Sequence, residues 1–566
     1  MGEKILVCIA WPYAKSVTHV GQIVGSILPG DIFARYNRMI GNDVLMVSGS
    51  DAHGTPITVE ADQEGVEPDV IVERYHPKIL EVWEKLDIQW DLYTKTTTPN
   101  HYAVTQDVFL KLLNNGYLFK DGAIAPFCPT DNRFLQDRYI LGECPNCHYG
   151  KARGDQCEEC GHLLEPQQLM NPYCRICGSK TSSIEFRETE HFYFNLPLLQ
   201  DKLQTWLNAV SAQWRPNVVN FAMNWLKEGL KPRAITRDLN WGVPIPVAGF
   251  ENKRIYVWFD AVIGYLSASK EWAQLQGRPE AWREWWEVTP ENPRPSRSYY
   301  FIGKDNISFH AIFWPAMLIG YENLVLAYDV PANEFMQMGG HKASSSDGNV
   351  VWTPDALARY GGDALRYYLT ISMPETHDSN FSYEELVRFN NDELVGVFGN
   401  AAHRVLTFTH KNYGATVPTP GEFTAEDKAL LEISHNVFEL SGKAIAAVKL
   451  REGLAESMNA ARAINKYIDE QAPWKVMKTD KQRAGTVLYT VIQALGALRI
   501  TLTPYIPAAA QRLHELLGFS GLVKDTPWQF AEVLAGQALP EPKPLFTKFD
   551  PPAAAEPETA KTEAAK

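Results

Sequence analysis

The sequence lacks long hydrophobic runs. No window of its 566 residues approaches the ~18–20 uninterrupted apolar residues that a membrane-spanning helix requires. Its first residues, MGEKILVCIAWPYAK, contain a short apolar run that ends at a proline. They lack the basic flank and the small-residue cleavage site of a signal peptide. We therefore expect a cytoplasmic protein that does not bind a membrane.

Positive charge is also scarce. The chain has 54 Lys and Arg against 67 Asp and Glu, a formal net charge of −13. A general nucleic-acid binder needs lysines and arginines to neutralise phosphates, so the charge argues against that class. It still permits one local basic face on an acidic enzyme. At 45% hydrophobic and 21% charged residues, the sequence is typical of a globular protein, and its length predicts three or four domains.

Cysteine is rare, and six of the eight cysteines lie in CxxC pairs between residues 144 and 177. In a reducing compartment this pattern indicates a metal rather than disulfides. The stretch CPNCHYGKARGDQCEEC has CxxC-x9-CxxC spacing, which supplies four thiolates for a closed structural zinc. The alternative is a redox pair. The four predicted ligands are Cys144, Cys147, Cys157 and Cys160.

The remaining cysteines of this region suggest a second zinc. YCRIC contains Cys174 and Cys177, and FCPTD contains Cys128 and Asp131. Three thiolates and one carboxylate are an acceptable zinc ligand set. The alternative is a group of buried cysteines without a metal.

The hydrophobic pattern predicts an α/β domain followed by helices. KILVCIAWPY (4–13) and DVLMVSGSD (43–51) are expected strands, and HVGQIVGSIL and DIFARYNRM are helical stretches interrupted at Pro29-Gly30. Strand, helix and strand over this length predict a parallel sheet. A cysteine-rich segment interrupts the sheet pattern, which resumes with IYVWFDAVIGYL (255–266) and YYFIGKD (299–305). Helical periodicity dominates from about residue 391, and the C-terminus is low-complexity.

A polar group lies where each of the first two strands ends. His19 and Gly21 begin the first helix, whose free N–H groups favour an anion such as a phosphate. The alternative is a packed histidine at a helix cap. Asp51 follows the second strand at the carboxyl edge of the sheet, where ligands bind in open α/β folds. The alternative for Asp51 is a simple turn.

These segments resemble a known enzyme family. HVGQ is similar to the HIGH signature of class I aminoacyl-tRNA synthetases. ILVCIAWPYA, ARYNRMIGNDVLMVSGSDAHGTPI, YVWFDAVIGY and FIGKDNISFHAIFWPAML resemble the methionyl-tRNA synthetases in particular, and the resemblance runs from about residue 4 to 540. The short insertion has no room for the editing domain of the isoleucyl, valyl and leucyl relatives.

The resemblance implies a fold and its domains. The fold would be an α/β, class I Rossmann-like parallel-sheet catalytic domain with a zinc-knuckle insertion, followed by an α-helical anticodon-binding bundle. The implied parts are two catalytic halves (1–117 and 231–325), a connective insertion with the zinc knuckles (118–230), a KMSKS-like loop with a linking domain that contacts the tRNA stem (326–390), the helical domain (391–548) and a disordered tail (549–566).

It also implies the activity. The enzyme would be a ligase that activates L-methionine with ATP and Mg²⁺ and transfers it to the 3′ end of tRNA(Met) for translation initiation and elongation. A monomer is expected, because no further C-terminal domain follows the bundle. The alternatives are a tRNA-binding paralogue that has lost adenylation and a zinc-dependent nucleic-acid-binding module.

The family's functional positions can be carried over residue by residue. Trp11 and Val262 stand where Leu and Pro are common, and Trp314 is expected beside the methionine side chain. The expected methionine-binding residues are Ala10, Trp11, Tyr13, Asp51, Trp258, Ala261, Val262, Tyr265 and His310. The expected ATP-binding residues are Pro12, His19, Gly21, Gln22, Gly303, Asp305, Lys342, Ser344, Ser345 and Ser346, of which His19, Gly21, Gln22, Lys342 and Ser345 are the expected catalytic set. Asn400, Arg404 and Trp474 are the expected anticodon readers.

One signature is altered. HKASSSDGN could be a flexible linker, but it stands where the family's KMSKS loop belongs. Lys342, Ser344 and Ser346 match that motif, whereas Ala343 and Ser345 replace Met and the second Lys. Because a hydroxyl gives only a neutral hydrogen bond, roughly half as strong as a charged one, we expect adenylation that is retained but slower than with KMSKS.

Overall fold

The protein is described by a computed structural model that covers residues 2–135, 139–154, 157, 159–160, 164–178, 183–339, 341–342 and 350–551. The chain begins with strands and helices in alternation. In chain order they are β1 (Lys4–Ile9), α1 (Val20–Gln22), a π-helical turn (Ile23–Ile27), α2 (Leu28–Met39), β2 (Asp43–Ser50), α3 (Thr55–Glu64), α4 (Pro68–Lys85), β3 (Leu92–Lys95) and α5 (Pro99–Asn114).

The expected break at Pro29-Gly30 is wrong. Helical structure is continuous from α1 to α2, with Pro29 in the first turn of α2, directly after the π-helical turn. The wider π turn accommodates a residue that has no N–H to donate. Gly30 has a packing role, because a Cβ there would lie 2.4 Å from Cδ1 of Ile9. This close approach seats the helix on β1.

The next segment carries the cysteines and has mainly antiparallel strands. Its elements are β4 (Leu118–Cys128), β5 (Arg133–Phe134), β6 (Ile140–Glu143), β7 (Ala152–Arg153), β8 (Met170–Cys174), β9 (Glu185–Phe194), α6 (Gln200–Val210), α7 (Pro216–Glu228) and β10 (Arg233–Ala234), with 3₁₀ turns at 166–168, 196–199 and 211–213. Strands β10, β9, β4 and β5 form one sheet, and β7, β6 and β8 form a smaller one.

The chain then returns to the first sheet. The elements here are β11 (Thr236–Arg237), β12 (Arg254–Ile255), α8 (Val257–Leu275), α9 (Arg283–Trp286), β13 (Arg297–Gly303), a 3₁₀ turn (Lys304–Asn306), a π-helical turn (Phe309–Phe313), α10 (Trp314–Tyr321) and β14 (Ala332–Asn333). The expected strand at 255–266 is wrong, because most of this stretch is the first half of α8. Nearly all of that half is buried, and a helix that is apolar all round has the same pattern as a buried strand.

The main sheet is parallel and has the order β14-β13-β1-β2-β3. The chain fills the β2 side of β1 first and the β13 side later, so the strand order reverses beside β1. In open α/β sheets ligands bind at such a reversal, outside the carboxyl ends of the strands. Ala10, Asp51 and Lys304 follow directly on β1, β2 and β13. The predicted α/β fold class is confirmed.

Helices make up most of the remainder. The elements are β15 (Met336–Met338), β16 (His341–Lys342), α11 (Thr353–Tyr360), α12 (Gly362–Ile371), β17 (Ser379–Phe381), α13 (Tyr383–Phe389), a π-helix (Asn390–Gly399), α14 (Asn400–Asn412), α15 (Ala425–Ala446), α16 (Leu450–Gln471), α17 (Pro473–Val476), α18 (Lys481–Thr501), α19 (Pro507–Leu516) and a 3₁₀ turn (Val523–Asp525). Within the described ranges, α18 is long and apolar enough to cross a membrane, but it is fully buried inside the protein.

Candidate functional site

A cavity of about 330 Å³ opens at the carboxyl edge of the parallel sheet. The structure brings many of the predicted binding residues together in its wall, including the ends of β1 and β2 and the start of α1. The predicted residues that line it are Ala10, Trp11, Pro12, Tyr13, His19, Gly21, Gln22, Asp51, Trp258, Gly303 and Asp305. Residues that sequence reasoning missed also line it, namely Gly25, Ser26, Ile27, Asn306, Glu334, Phe335 and Met336.

Five of the residues expected around the methionine side chain do not line this cavity. Ala261, Val262, Tyr265 and His310 are buried on α8 and on the π-helical turn before α10. Trp314 belongs to the core, where its Nε1–H donates to the Tyr300 hydroxyl at 2.9 Å and its ring meets Trp286 edge-on. Trp314 therefore does not line the cavity, and its expected place beside the substrate stays a prediction. Its indole N–H finds its acceptor inside the core.

His19 stands at the start of the helical segment with one nitrogen unused. Its backbone N–H donates to Oε1 of Gln22 at 3.0 Å, which caps the helix. Its Nδ1 is buried and has no hydrogen-bond partner within the described residues. Burial, with a smaller contribution from Lys15, lowers the pKa of His19 to about 4. The imidazole is therefore neutral near pH 7 and can offer a ligand a hydrogen bond but no charge.

Asp51 is buried at the end of β2, with only 2% of its surface exposed. Its backbone pairs with the segment after β1, because its N–H donates to the Pro12 carbonyl and its carbonyl accepts from Ala14. Its Oδ1 accepts the His53 backbone N–H at 3.3 Å. Burial first, and the nearby Asp260 second, raise the pKa of Asp51 well above its ordinary value. A cationic ligand group would relieve both effects.

Sequence reasoning missed the layer beneath Asp51. His53 Nδ1 lies 2.7 Å from Oδ2 of Asp260, on α8, and His53 Nε2 lies 3.3 Å from the Tyr102 hydroxyl. Trp241 closes this layer, since its Nε1–H donates to the Ala52 carbonyl at 2.6 Å. The motif SGSDAHGTPI does contain a signal, because a histidine two residues after a site carboxylate is a potential partner for it.

Trp11, the departure noted in the sequence, fits because two glycines make room for it. A Cβ at Gly49 would lie 2.3 Å from Cζ3 of the Trp11 ring, and one at Gly264 would lie 2.6 Å from Cζ2. The indole is thus held between β2 and α8. It forms part of the apolar wall of the cavity together with Tyr13 and Trp258, whose rings meet edge-on at 6.1 Å.

Tyr265 and His310 form a buried pair. Nδ1 of His310 lies 2.9 Å from the Asn306 carbonyl, so this nitrogen carries the proton and donates it. Nε2 then accepts from the Tyr265 hydroxyl at 2.7 Å. Burial lowers the pKa of His310 to about 4, which keeps the ring neutral. Because Asn306 lines the cavity, the pair supports its wall from behind.

The altered signature loop is described only in part. Lys342 lies in β16, which pairs with β15 through Gln337 and Lys342. Met336, at the other end of β15, lines the cavity. Ser344, Ser345 and Ser346 lie outside the described residues. The backbone therefore brings Lys342 to a hairpin that begins at the cavity wall.

The first cysteine cluster has the geometry of a metal site. The thiol sulfurs of Cys144, Cys147, Cys157 and Cys160 all lie within 4.8 Å of one another. Two of the separations are 3.8 Å (Cys144–Cys160) and 3.6 Å (Cys147–Cys157). A tetrahedral zinc with bonds of about 2.3 Å places its sulfurs about 3.8 Å apart, whereas a disulfide needs about 2.05 Å. This cluster could hold a zinc ion.

A second group contains three cysteines, again within 4.8 Å of one another. The Cys128 and Cys177 sulfurs are 3.8 Å apart. The Cys174 sulfur lies 3.9 Å from Oδ2 of Asp131, and the Asp131 N–H points at the Cys128 sulfur at 3.4 Å. The predicted carboxylate therefore lies beside the three thiols, and Arg133 binds it at 2.6 Å.

The predicted anticodon residues lie on the helical bundle. Asn400 and Arg404 are one turn apart on α14. The Arg404 guanidinium lies over the Trp474 ring at 4.5 Å and 3.8 Å from Asp469. Ala472, in the left-handed region with φ of 38°, ends α16 and turns the chain into Pro473 and Trp474. The three side chains thus belong to one end of the bundle.

The chain matches two family models and many curated relatives. Residues 5–406 match the model for class I tRNA synthetases (M), and residues 417–559 match the anticodon-binding domain of methionyl tRNA ligase. The chain is 48% identical to the methionine–tRNA ligase of Roseiflexus castenholzii and 45% identical to that of Thermomicrobium roseum, with 97% of each chain covered.

Solved structures agree with this. The methionyl-tRNA synthetase of Mycobacterium tuberculosis bound by methionyl-adenylate superposes with a TM-score of 0.79 at 25% identity, over 97% of this chain and 100% of that one. The predicted family, fold class and ligase class are confirmed. A parallel sheet with its cavity, a cysteine-bearing insertion and a helical bundle occur in the order that the family requires. The chain belongs to the methionine–tRNA ligase family of class I aminoacyl-tRNA synthetases.

Proposed function

We propose that this chain activates L-methionine with ATP and then transfers the methionyl group to the 3′ end of tRNA(Met). One observation carries the proposal for the site. Asp51, whose carboxylate is buried, and His19, whose Nδ1 is buried and has no partner among the described residues, both line one cavity at the strand reversal. The first suits a substrate ammonium group, and the second suits a phosphate oxygen.

The first step needs positioning rather than proton transfer. A carboxylate oxygen of methionine attacks the α-phosphorus of ATP, the bond to the β,γ-phosphates breaks, and pyrophosphate leaves. The methionine carboxylate is already ionised, so no general base is required. The ribose hydroxyls of ATP suit the Asp305 carboxylate, and Gly303 lets the nucleotide approach the backbone. In the second step, a ribose hydroxyl of the tRNA attacks the methionyl carbonyl carbon, the bond from that carbon to the phosphate oxygen breaks, and AMP and the hydroxyl proton are released.

Before ATP binds, His19 offers no charge to the phosphates, so we assign their balancing first to other groups. Because the pKa of His19 is about 4, its ring is neutral at pH 7. Mg²⁺ bound with ATP and the Lys342 ammonium group are the cations that we assign to this task. With Ser345 in place of the second lysine, pyrophosphate departure should be slow.

The Ser345→Lys variant tests this account of the loop. We expect a faster adenylation step, on the order of tenfold, since a charged hydrogen bond to the leaving phosphates replaces a neutral one. Pre-steady-state formation of methionyl-adenylate measures it. Ser345→Thr is the control, because it keeps the hydroxyl and should leave the rate unchanged. An unchanged or lower rate in Ser345→Lys would contradict the account.

The methionine side chain would lie against the apolar wall. We assign its binding to Ala10, Trp11, Tyr13 and Trp258 directly, and to Ala261, Val262, Tyr265 and His310 as the layer behind. A soft, polarizable thioether packs well against aromatic rings. The side chains that would recognise the anticodon are Asn400, Arg404 and Trp474, where the indole can stack an unpaired base.

Both cysteine groups are proposed as structural zinc sites. Four thiolates, or three thiolates and the Asp131 carboxylate, leave no open position for chemistry. We further propose that the protein works in the cytoplasm, where thiols stay reduced, and that it is a monomer. The proposed domain boundaries are those given by the resemblance, with the catalytic halves at 1–117 and 231–325.

Methionine-dependent exchange of pyrophosphate into ATP tests the proposal. We expect exchange with methionine and little with leucine or isoleucine. Exchange with leucine in place of methionine would contradict the assignment of the apolar wall. Absence of exchange in a folded, zinc-loaded protein that still binds tRNA would contradict the proposed activity.

A further inference from the structure

Asp51, His53 and Asp260 form a buried cluster that contains two carboxyl groups and one imidazole. The three are exposed by 2%, 2% and 0%. His53 bridges the two carboxylates, since its backbone N–H donates to Asp51 and its ring nitrogen contacts Asp260 at 2.7 Å. The other oxygen of Asp260, Oδ1, is buried with no hydrogen-bond partner in the described parts of the chain. One histidine therefore contacts both buried carboxylates, Asp51 through its backbone N–H and Asp260 through its imidazole.

Among the described residues, Arg254 adds a cation near Tyr102 and lowers its pKa, but no lysine or arginine is among the groups that shift the pKa of Asp51 or Asp260. On α5, His101 contacts Ser267 and Thr105, and burial lowers its pKa well below its ordinary value. Burial also raises the pKa of Tyr102, so its hydroxyl stays neutral. His53, His101 and Asp260 lie close enough to hold a metal, but both ring nitrogens of each histidine already face protein hydroxyl or carboxyl groups. We therefore interpret the cluster as a hydrogen-bond network.

We propose that the cluster of Asp51, His53 and Asp260 holds an extra proton when no amino acid is bound, and that the ammonium group of methionine displaces this proton on binding. The inference rests on the proposed role of Asp51 as the ammonium-binding residue. Two buried carboxylates with one imidazole cannot all carry their full charge cheaply. A bound ammonium group supplies the missing positive charge, and the proton leaves to solvent. His53 and Asp260 are positioning residues that set the charge of Asp51.

The sign of the pH effect follows. Protons and methionine compete for the same cluster, so lower pH weakens methionine binding. With one proton displaced, the dissociation constant for methionine rises by up to about tenfold per pH unit on the acid side of the transition. His19 and His310, with pKa values of about 4, remain neutral between about pH 5.5 and 7.5 and do not contribute.

Isothermal titration calorimetry with methionine tests the proposal. In buffers of different ionisation enthalpy, the apparent heat reports the number of protons released. We expect a release approaching about one proton per methionine at the acid end of this range. The deaminated analogue 4-(methylthio)butanoate should release none, because it lacks the ammonium group. A methionine heat that is the same in all buffers throughout the range would overturn the proposal.

Two variants make the test sharper. Asp260→Asn removes one of the competing carboxylates, so proton release and the weakening of binding should move to lower pH. His53→Gln keeps the backbone N–H but removes the imidazole that stabilises the Asp260 carboxylate. Proton release and the weakening of methionine binding should therefore move to higher pH. A merely structural role would weaken binding equally at every pH, and that result in both variants would also overturn the proposal. Near-ultraviolet circular dichroism checks that each variant is folded.

The outcomes separate this inference from the proposed function. Asp51→Asn should lose methionine binding at every pH if Asp51 binds the ammonium group, which tests the role on which the inference rests. If pyrophosphate exchange occurs but methionine binding releases no proton, only the inference fails. If exchange itself is absent, the proposed function fails.

Discussion

At the residue scale, the cavity wall depends on contacts between residues that are far apart in the sequence and meet only in the folded protein. Asp51 could be predicted from its place after a strand, but Asp260 lies 207 positions from its partner His53. Nothing in the local pattern links them, because the contact depends on how α8 packs beside β2. Trp11 is similar: the sequence shows a large side chain, and only the structure shows that Gly49 and Gly264 accommodate it.

The Trp11→Leu variant should weaken methionine binding. Removing the indole leaves a void between Gly49 and Gly264, which costs about 2–4 kcal/mol of packing energy. We expect the KM for methionine in pyrophosphate exchange to rise by about tenfold.

Gly264→Ala is the partner variant. Alone it should also be harmful, since its Cβ would lie 2.6 Å from the Trp11 ring. In the double variant the alanine methyl group partly fills the void left by the indole. The rise in KM for methionine should therefore be smaller than the two single effects combined. Strict additivity would contradict the packing that we describe.

His310 should remain neutral at mildly acidic pH. Burial lowers its pKa to about 4, whereas an unperturbed histidine has a pKa of about 6.5. Between about pH 4 and pH 6.5 the folded protein therefore binds fewer protons than the unfolded chain. Its contribution to stability is therefore complete above about pH 6.5 and is lost as the pH falls toward 4.

Nuclear magnetic resonance of ¹³C-histidine checks this. The His310 signal, assigned with His310→Gln, should not titrate above about pH 5. Titration of His310 near pH 6.5 would contradict the buried contact with Tyr265.

At the element scale, the strands of the sheet were predictable and one helix was not. β1, β2 and β13 are short, mainly apolar runs, the usual pattern of buried parallel strands, and β1 is followed by a proline at Pro12. α8 is as apolar as they are, and it is longer and buried on nearly every side. Amphipathic periodicity, the main signal for a helix, was therefore missing. By contrast, α16 carries apolar residues at the helical spacings of three and four, and all of them are buried, namely Leu454, Met458, Ala461, Ile464 and Ile468.

The cysteine elements predict two zinc ions per chain. Cys157→Ser and Cys177→Ser should each lower the zinc content by one, because they remove ligands of different groups. Inductively coupled plasma mass spectrometry measures this. Cys8→Ala is the control, since Cys8 lies buried in β1 and belongs to neither group.

Two results would contradict this prediction. A content of one zinc ion per chain in the wild-type protein would mean that the second cysteine group binds no zinc. Loss of both ions in either variant would mean that the two groups fold as a single unit.

At the scale of the whole molecule, one arginine connects the insertion, the sheet and the bundle. Arg215, which precedes α7, donates to Asn333 Oδ1 and to the Ala332, Glu375 and Val448 carbonyls. Asn333 in turn donates to the Val24 carbonyl in the helical segment that begins at His19. The turn between α15 and α16 is thereby joined to the same packed structure as the cavity, whereas Trp474 follows the opposite end of α16.

Trp474→Ala should affect tRNA but not adenylation. Loss of base stacking costs about 1–3 kcal/mol, so the KM for tRNA(Met) should rise by roughly 5- to 150-fold. Pyrophosphate exchange, which uses no tRNA, should be unchanged. Trp272→Ala is the control, because that ring packs against Trp285 in the catalytic part and should leave the KM for tRNA unchanged. An equal loss in exchange would mean that Trp474 acts through stability.

The central claim is that this chain joins methionine to tRNA(Met), and charging of a tRNA(Met) transcript with radiolabelled methionine tests it most directly. We predict ATP-dependent charging of the CAU transcript, and loss of most of it when the anticodon is changed. Charging that ignores the anticodon would contradict the role given to the helical bundle. No charging by a folded, zinc-loaded protein would contradict the account as a whole.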